Sequence, residues 1–425
     1  MAIRRNVDMV LVLAVLLLVA IGIGMVFSAS FVTAHKYFGD DMYFIVRHVI
    51  WVSLGFAALV VVARLDYHIW QRIATPLYLG TVILLVVVMV PGLGTSTYGA
   101  SRWLALGPLP TFQPSELAKL AVIVYLASWI TRVGGDIRKL TLGTIPFAII
   151  LSLSAGLVLV EPDLGTTIVL VMTAASVFFI AGANLLHGLL GAAIGCFLLI
   201  NLVINAGYRA DRIEAWLDPW ADPGGIGWHT TQTLTALGSG GLAGLGLGES
   251  RKKFDYLPNA HTDSIFAVIG EEIGFLGTTL VLGLFLLFSW RGLTIALAAP
   301  DSLGRTLAGG ATLLIGWQAL LNMAVVSHVV PNTGVPLPLL SYGGSAMVTT
   351  LAAIGIILSV SRSIESEQRS WRSLLKLSQG TWRPARPPSS ALAATTDPPD
   401  GSRRLSRRAA SRRAQRREAL AQGAR

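Results

Sequence analysis

Long apolar stretches separated by short polar segments dominate the chain. Most of them are close to the about 20 residues that a helix needs to cross roughly 30 Å of hydrocarbon. With 53% hydrophobic and 13% charged residues among 425, the chain is too apolar for a soluble globule. The pattern predicts an all-α polytopic membrane protein, a bundle of about ten transmembrane helices. The predicted spans are 8–30, 43–63, 74–92, 114–131, 142–160, 165–183, 187–206, 264–290, 305–330 and 345–362.

Basic residues between the spans predict the orientation. Arg4 and Arg5 precede the first span, which we interpret as an uncleaved signal anchor because nine further spans follow. The short segments on the side of the N-terminus carry Arg64, Arg72, Arg132, Arg138, Lys139, Arg291 and Arg305, and those on the other side carry Lys36, Arg47 and Arg102. The positive-inside rule then places both termini in the cytoplasm. The large loop 207–263, between spans seven and eight, is expected to be extracytoplasmic.

The formal charge of +10 comes mostly from the C-terminal residues. Residues 363–425 contain fourteen Lys and Arg against five Asp and Glu, a net charge of +9. This Pro-, Ser- and Arg-rich segment cannot bury a core, so we predict a disordered basic cytoplasmic tail that follows a membrane domain of residues 1–362. The tail is either simply solvated or binds anionic membrane lipid or an acidic partner, and no nucleic acid is expected as a partner.

Several classes of site are excluded by the sequence. The single cysteine, Cys196, permits no disulfide within the chain and no cysteine-based metal site. The Gly-rich segment 232–248 contains Gly238-x-Gly240, but no βαβ pattern surrounds it. We therefore expect no nucleotide or organic cofactor there. The segment is too rich in glycine for an ordinary helix and predicts a backbone bend near the membrane face.

Three carboxylates stand in the stretch 256–272, at the end of the long loop and the start of the eighth span. Ionisable groups at membrane depth are costly and are usually paired or functional. If the helix begins near Thr262, Glu271 lies roughly 12 Å deeper than Asp263, so Asp263 is best placed to meet a substrate at the interface. Alternatively, Thr262 or Asp263 caps the helix. The two roles of Asp263 are compatible.

Three other segments carry candidate chemistry. Glu116 and Lys119 share one helix face, either as a neutralised intramembrane pair or with Lys119 facing a cavity where it attracts an anionic lipid headgroup. Asp163 is interpreted as the N-cap of the sixth span. The segment 331–345 is apolar yet cannot form a regular helix. Irregular backbone at membrane depth must be buried in protein or line a cavity, which predicts a re-entrant plug that closes one side of the site.

Long motifs in these segments resemble one family. Leu257-Pro258-x-Ala260-His261-Thr262-Asp263 with 266–272, Gly99-Ala100-Ser101-Arg102-Trp103, 113–120 and the plug motif 331–345 are similar to signatures of the SEDS family (FtsW, RodA, SpoVE), which are polytopic peptidoglycan glycosyltransferases. The resemblance covers roughly residues 8–362 and does not cover the tail. Asn259 stands where the family commonly has Glu, and Ser264 where it commonly has Phe. Asp263 is in place.

The resemblance implies an activity and a set of site residues. The expected reaction is polymerisation of lipid II, a disaccharide peptide on undecaprenyl pyrophosphate, into glycan strands. Septal synthesis in cell division is favoured over elongation. Asp263 is the implied catalytic residue, as base or as metal ligand. The implied substrate-binding residues are Arg102, Trp103, Glu116, Lys119, His261, Thr262 and Ser341.

The same resemblance implies cofactors, partners and a location. A divalent cation, Mg²⁺ or Mn²⁺, is expected to be shared between Asp263 and the substrate pyrophosphate. The implied protein partners are a class B penicillin-binding protein transpeptidase and other divisome proteins. The expected location is the bacterial cytoplasmic membrane, with the active site on the extracytoplasmic side. Two alternatives stay open: a lipid II flippase, and a non-catalytic scaffold.

Overall fold

The computed structural model describes residues 7–92, 94–97, 100–104, 111–204, 207–254 and 256–380. Within these ranges the chain is mainly helical. The helices are α1 Met9–Phe38, α2 Tyr43–Arg64, α3 Ile69–Val88, α4 Pro114–Val133, α5 Ile145–Val160, α6 Leu164–Ile180, α7 Leu185–Ile204, α8 Gly207–Leu217, α9 Trp228–Ser239, α10 Ile265–Ala298, α11 Ser302–Val326 and α12 Gly344–Gly380. A 3₁₀ turn and a π turn, Gly134–Arg138 and Leu140–Thr144, connect α4 to α5. The bundle belongs to the first of two compact units, Met1–Trp371 and Arg372–Arg425.

The helices make this a multi-pass membrane protein. Among the described residues, eight helical segments are long and apolar enough to cross a membrane, those of α1 to α5 and α10 to α12. The remaining two predicted spans correspond to α6 and α7. Helix α6 is apolar but has only 17 residues, and the apolar part of α7 is Leu185–Gly195. The number of ten spans stays a prediction.

The long segment between α7 and α10 is more structured than its sequence suggested. It contains α8 and α9, and α9 extends to Ser239. The sequence predicted irregular backbone over the whole segment 232–248. This is wrong for residues 232–239, which belong to α9, because the irregular backbone begins at Gly240. After α3 the chain forms an antiparallel ribbon, β1 Gly94–Thr97 and β2 Ala100–Leu104, which the all-α prediction did not contain.

The C-terminal boundary also differs from its expected position. Helix α12 continues to Gly380, so the predicted start of the tail at residue 363 falls inside a helix. Residues 381–425, which include the paired arginines of the predicted tail, lie outside the described residues.

Helix α10 is interrupted at membrane depth. Gly274 has φ 74° and ψ −163°, a conformation open to glycine alone, so the helix that corresponds to the predicted span 264–290 is kinked at this residue. The Gly-rich segment after α9 enters the break. Phe275 N–H donates to the Gly241 carbonyl at 2.9 Å, and Leu245 N–H donates to the Glu271 carbonyl at 2.9 Å. The backbone groups freed by the break are thus satisfied inside the protein, as a membrane requires.

Two buried carboxylates hold this re-entrant segment in place. Glu271 accepts a hydrogen bond from the Ser250 hydroxyl at 2.6 Å. Glu272 pairs with Lys253 at 3.1 Å and accepts from the Ser28 hydroxyl of α1 at 2.6 Å. Both carboxylates are almost fully buried. Of the three carboxylates in the stretch 256–272, the deeper two therefore serve the fold.

Replacing Gly244 with alanine tests the re-entrant pairing. Gly244 (φ +83°) and Gly248 (φ +83°) both need the left-handed region, so alanine costs about 1–2 kcal/mol at either position. Only at Gly244 would the new Cβ lie 2.1 Å from the Glu272 carbonyl oxygen, whereas at Gly248 nothing lies within 4 Å. We expect Gly244→Ala to lower the melting temperature of the detergent-solubilised protein clearly more than Gly248→Ala, since about 1 kcal/mol or more is lost with each broken buried hydrogen bond. Equal melting temperatures for the two variants would contradict the pairing of the Gly-rich segment with the break in α10.

Candidate active site

Asp263 lies where the segment before α10 meets the plug 331–343 and the start of α6, and we call these surroundings the recess. Helix α10 begins at Ile265 with Ser264 as its N-cap, and no side chain makes a capping hydrogen bond there. The interpretation of Thr262 or Asp263 as the cap is therefore wrong, because the helix begins later than expected. Asp263 is half-buried, and its carboxylate does not cap the helix.

One amide on α11 fixes the backbone of Asp263. Asn322 Nδ2 donates to the Asp263 carbonyl at 2.8 Å and to the Val335 carbonyl at 2.7 Å. A single buried side chain thus joins the acidic residue to the plug. Gly334 lies next to this contact, and the Asp263 Oδ2 is 3.4 Å from the position that a Cβ on Gly334 would take.

The motif before Asp263 is bound to the plug by two further contacts. The Ser341 hydroxyl donates to the Thr262 carbonyl at 2.6 Å, and Tyr342 N–H donates to the His261 carbonyl at 2.9 Å. The His261 ring packs against the rings of Phe44 and Tyr342, at centroid distances of 4.5 and 5.7 Å, and those two rings also contact each other at 5.3 Å. Burial lowers the pKa of His261 to about 4, so it is neutral at physiological pH. In the structure these predicted substrate-binding residues also assemble the walls of the recess.

The charges around Asp263 set its protonation. Burial raises the pKa of Asp263 to about 6. A hydrogen bond to Thr262 and the positive charges of Arg212 and Arg102 oppose this rise, whereas the negative charge of Asp163 adds to it. Near neutral pH the carboxylate is mostly ionised, yet its proton affinity is higher than that of an ordinary aspartate. That combination suits a general base.

Arg102 ties the ribbon to the turn that precedes α6. Its Nε donates to the Glu161 carbonyl at 3.0 Å, and its Nη2 donates to the Pro162 carbonyl. Burial raises the pKa of Glu161 to about 8, Asp163 adds to the rise and Arg102 opposes it. Asp163 accepts from the Thr166 N–H at 3.0 Å, which confirms its prediction as the N-cap of α6.

The sequence analysis did not identify two residues of the recess, an arginine and a histidine, as candidate site residues. Arg212 on α8 donates from Nη1 to the Asn332 carbonyl at 3.0 Å. His229 on α9 lies between the Ser264 hydroxyl and the Asn332 amide, at 3.1 Å from each. Burial and the nearby Arg212 lower the pKa of His229 to about 4. The sequence signal that could have identified Arg212 is its position in the amphipathic segment 207–217.

Glu116 and Lys119 are placed inside the bundle. They form the neutralised pair at 2.8 Å, and each is 3% exposed. Lys119 Nζ also donates to Gln318 Oε1 at 2.7 Å, and Gln318 Nε2 donates to the Pro336 carbonyl at 3.1 Å. Through Gln318, the pair therefore helps to hold the plug in position. Its predicted contact with a substrate stays a prediction.

Trp103, the remaining predicted substrate-binding residue, lies on β2. It is half-buried and pairs with Thr95 in the ribbon. Its neighbour Arg102 has no partner in the ribbon, because the register shifts there by one residue, as in a β-bulge. The contact of Trp103 with a sugar stays a prediction.

The recess offers few ligands for a metal. In the described part of the chain, no group of three or more His, Cys, Asp or Glu side chains could hold a metal ion. Both Asp163 oxygens are engaged by Thr166, at 3.0 Å from its N–H and 2.9 Å from its hydroxyl. Asp263 fits as one protein ligand of a cation whose other ligands are water and phosphate, the arrangement that Mg²⁺ prefers.

Together these features define a polytopic membrane protein in which the Asp263 carboxylate lies within electrostatic reach of the guanidinium groups of Arg102 and Arg212. Comparison with known proteins agrees with this class. The model of a family described as cell cycle protein, which comprises FtsW, RodA and SpoVE, matches residues 8–366. The chain belongs to this family.

Individual relatives match over most of their length. The chain is 43% identical over 358 residues to the probable peptidoglycan glycosyltransferase FtsW of Trichlorobacter lovleyi, covering 84% of this chain and 94% of the relative. It is 41% identical over 359 residues to stage V sporulation protein E of Bacillus subtilis, covering 84% and 98%. A chain in a solved peptidoglycan synthase complex that coordinates polymerization and crosslinking superposes with a TM-score of 0.70 at 32% identity, covering 84% and 98%.

Replacing Asn322 with alanine tests how the recess is held. The change leaves two carbonyls without their shared donor, so we expect a loss of about 2 kcal/mol or more in stability, since an unsatisfied buried acceptor costs about 1–3 kcal/mol. Ser327→Ala on the same helix is the control, because that hydroxyl bonds only locally to Met323 and its loss is expected to cost about 0.5 kcal/mol or less. Thermal unfolding in detergent measures both. Similar melting temperatures for the two variants would show that the two hydrogen bonds of Asn322 do not stabilise the recess.

Proposed function

We propose that this protein is a peptidoglycan glycosyltransferase that polymerises lipid II into glycan strands, as part of septal wall synthesis. One observation carries the proposal. The Asp263 carboxylate caps no helix, has its pKa raised to about 6, and lies within electrostatic reach of Arg102 and Arg212. Relatives that are roughly 40% identical to this chain are named probable peptidoglycan glycosyltransferases, which supports the same activity here.

The proposed mechanism is a direct displacement. The 4-hydroxyl of an acceptor GlcNAc gives its proton to the Asp263 carboxylate as its oxygen attacks the anomeric carbon of the donor MurNAc. The bond from that carbon to the pyrophosphate oxygen breaks, and its electron pair leaves with undecaprenyl pyrophosphate. The charges of Arg102 and Arg212 favour the departing anion. The proton on Asp263 then passes to solvent.

The alternative role of Asp263 is that of a metal ligand. Its carboxylate would then hold Mg²⁺ or Mn²⁺ jointly with the pyrophosphate, and the cation would add positive charge where the leaving group forms. No second protein carboxylate is assigned to the cation, because the Asp163 oxygens already bond to Thr166.

The proposed setting follows from the charge distribution along the chain. We place the recess on the extracytoplasmic face of the bacterial membrane and both termini in the cytoplasm. The proposed partner is a class B penicillin-binding protein whose transpeptidase cross-links the new strand, together with other divisome proteins. A related chain found in a peptidoglycan synthase complex supports such a partnership. The basic tail is proposed to bind anionic membrane lipid.

Asp263→Asn tests the base. The amide keeps the size of the side chain but cannot accept a proton, so we expect polymerisation to fall about a hundredfold or more. The assay supplies lipid II and Mg²⁺ or Mn²⁺ to the protein with its class B partner and resolves glycan strands on a gel. Asp136→Asn, an exposed residue between α4 and α5, is the control and should keep full activity. Equal polymer from Asp263→Asn would remove Asp263 as the base. Lipid II transport across vesicles without polymer would favour a flippase.

The pH profile gives a separate test. Because the base must be ionised, the rate should rise with pH and reach half its plateau near pH 6, where Asp263 titrates. The positive charge of Arg212 lowers that pKa, so Arg212→Gln should move the midpoint to higher pH. A midpoint that stays in place in Arg212→Gln would contradict the electrostatic coupling.

A further inference from the structure

A cavity of about 630 Å³ lies on the outside of the bundle, between α1 and the re-entrant segment. On one side it is lined by α1 between Ala20 and Phe31, and on the other side by Leu247 and Gly248. Phe27 is 41% exposed and Leu247 is 75% exposed, so the cavity opens sideways, away from the core. We call it the α1 groove. Among the described residues that line it, none belongs to the recess.

The α1 groove covers about half of the membrane thickness. Helix α1 begins at Met9, directly after the charged Asp8, which places that end of the helix at one membrane boundary. Measured along α1 from Met9, Ala20 lies at roughly 16 Å and Phe31 at roughly 33 Å, since each helical residue adds about 1.5 Å. The hydrocarbon core is about 30 Å thick. The groove therefore runs from near the middle of the membrane to the boundary farther from the N-terminus, the depth range of one phospholipid in a single leaflet.

A buried ion pair lines the outer part of this groove. Lys253 and Glu272 pair there at 3.1 Å. Lys253 Nζ also donates to the Ser28 hydroxyl at 3.1 Å and to the Gly248 carbonyl at 2.6 Å, so its three N–H donors are all used. Glu272 is 1% exposed, and its Oε2 is buried and has no hydrogen-bond partner among the described residues. The groove thus contains one carboxylate oxygen that lacks a donor.

This oxygen selects the headgroup that fits. A buried acceptor without a donor is costly, and a charged donor makes a stronger hydrogen bond to a carboxylate than a neutral one. The headgroup of phosphatidylethanolamine ends in a primary ammonium with three N–H donors. The choline of phosphatidylcholine carries the same charge but has no N–H group. Phosphatidylglycerol brings a negative charge towards Glu272 and no cation, so its charge does not complement the site.

The remainder of the α1 groove is apolar and has open space. Ile21, Met25 and Phe27 line it on α1. Gly24 lies among them, and nothing is found within 4 Å of the position that a Cβ on Gly24 would take. A hydrocarbon chain can therefore lie along the helix at this position and bury apolar surface on it.

We infer that the α1 groove binds one phosphatidylethanolamine molecule, with its ammonium at Glu272 Oε2 and an acyl chain along α1 towards Ala20. This lipid is not a substrate, and the inference does not rest on the proposed function. Because Leu247 and Gly248 belong to the re-entrant segment, the bound lipid holds that segment against α1. Occupancy therefore stabilises the break in α10 at Gly274 from outside the bundle.

Native mass spectrometry of the full-length protein in detergent tests the headgroup. The probes are phosphatidylethanolamine, phosphatidylcholine and phosphatidylglycerol with the same palmitoyl and oleoyl chains. We expect one phosphatidylethanolamine to bind about tenfold or more tightly than either other lipid, the effect of one charge-assisted hydrogen bond of about 1.5 kcal/mol. Equal binding of phosphatidylcholine would overturn recognition through an N–H donor. Equal or tighter binding of phosphatidylglycerol would make this an anionic-lipid site and also overturn the inference.

Gly24→Leu tests the location. The leucine side chain has room at this position and fills the groove. The control is Gly283→Leu on α10, where nothing lies within 4 Å of a Cβ either and which is not among the residues that line the groove. We expect phosphatidylethanolamine to bind about tenfold more weakly to Gly24→Leu and with unchanged affinity to Gly283→Leu. Equal affinities of the two variants would remove the lipid from this groove.

Thermal unfolding adds a readout of the stabilising role. A ligand that binds only the folded protein raises its melting temperature. Phosphatidylethanolamine should therefore raise the melting temperature of the native protein and of Gly283→Leu, and leave that of Gly24→Leu unchanged. An equal rise in Gly24→Leu would contradict the inference. The headgroup comparison uses the native protein, so it tests the inference even if Gly24→Leu does not fold.

Discussion

The structure depends on one constraint: backbone hydrogen-bonding groups at membrane depth need partners inside the protein. The chain breaks regular helix twice near the candidate site, at Gly274 of α10 and in the plug. At the first break the re-entrant segment supplies the partners, through Gly241 and Leu245. At the plug, Asn322 and Gln318 of α11 bind the carbonyls. The recess exists because both breaks are satisfied.

This constraint also divides the acidic residues by role. Glu271 and Glu272 bond to the re-entrant segment, and Glu116 is neutralised by Lys119. Each has a built-in partner that offsets the cost of burying a charge. Asp263 instead has cations within electrostatic reach and is a half-buried residue. Its raised proton affinity results from burial without full compensation, which is what a substrate-facing base requires.

Much of this arrangement could be predicted from the sequence because its signals are local. The cap made by Asp163 and the irregular plug each follow from spacing and residue type within a few residues. Arg212 could not be placed, since it reaches the recess from α8, a helix about fifty residues before Asp263 in the chain. The break at Gly274 was missed for a related reason. Glycine is common in apolar helices, and only the pairing with a distant Gly-rich segment shows that this one leaves the helix.

The amide of Asn322 has a mechanical consequence. With Gln318 one turn away, it fastens Asp263, Val335 and Pro336 to a single face of α11. A tilt or slide of that helix would carry base and plug together as one rigid piece, so their mutual geometry would be preserved. The start of α6 packs closely on the same piece, since a Cβ on Gly165 would lie 2.4 Å from a Val335 methyl carbon and 2.6 Å from the Thr333 carbonyl oxygen. The geometry around the base is therefore set by α6 and α11 together.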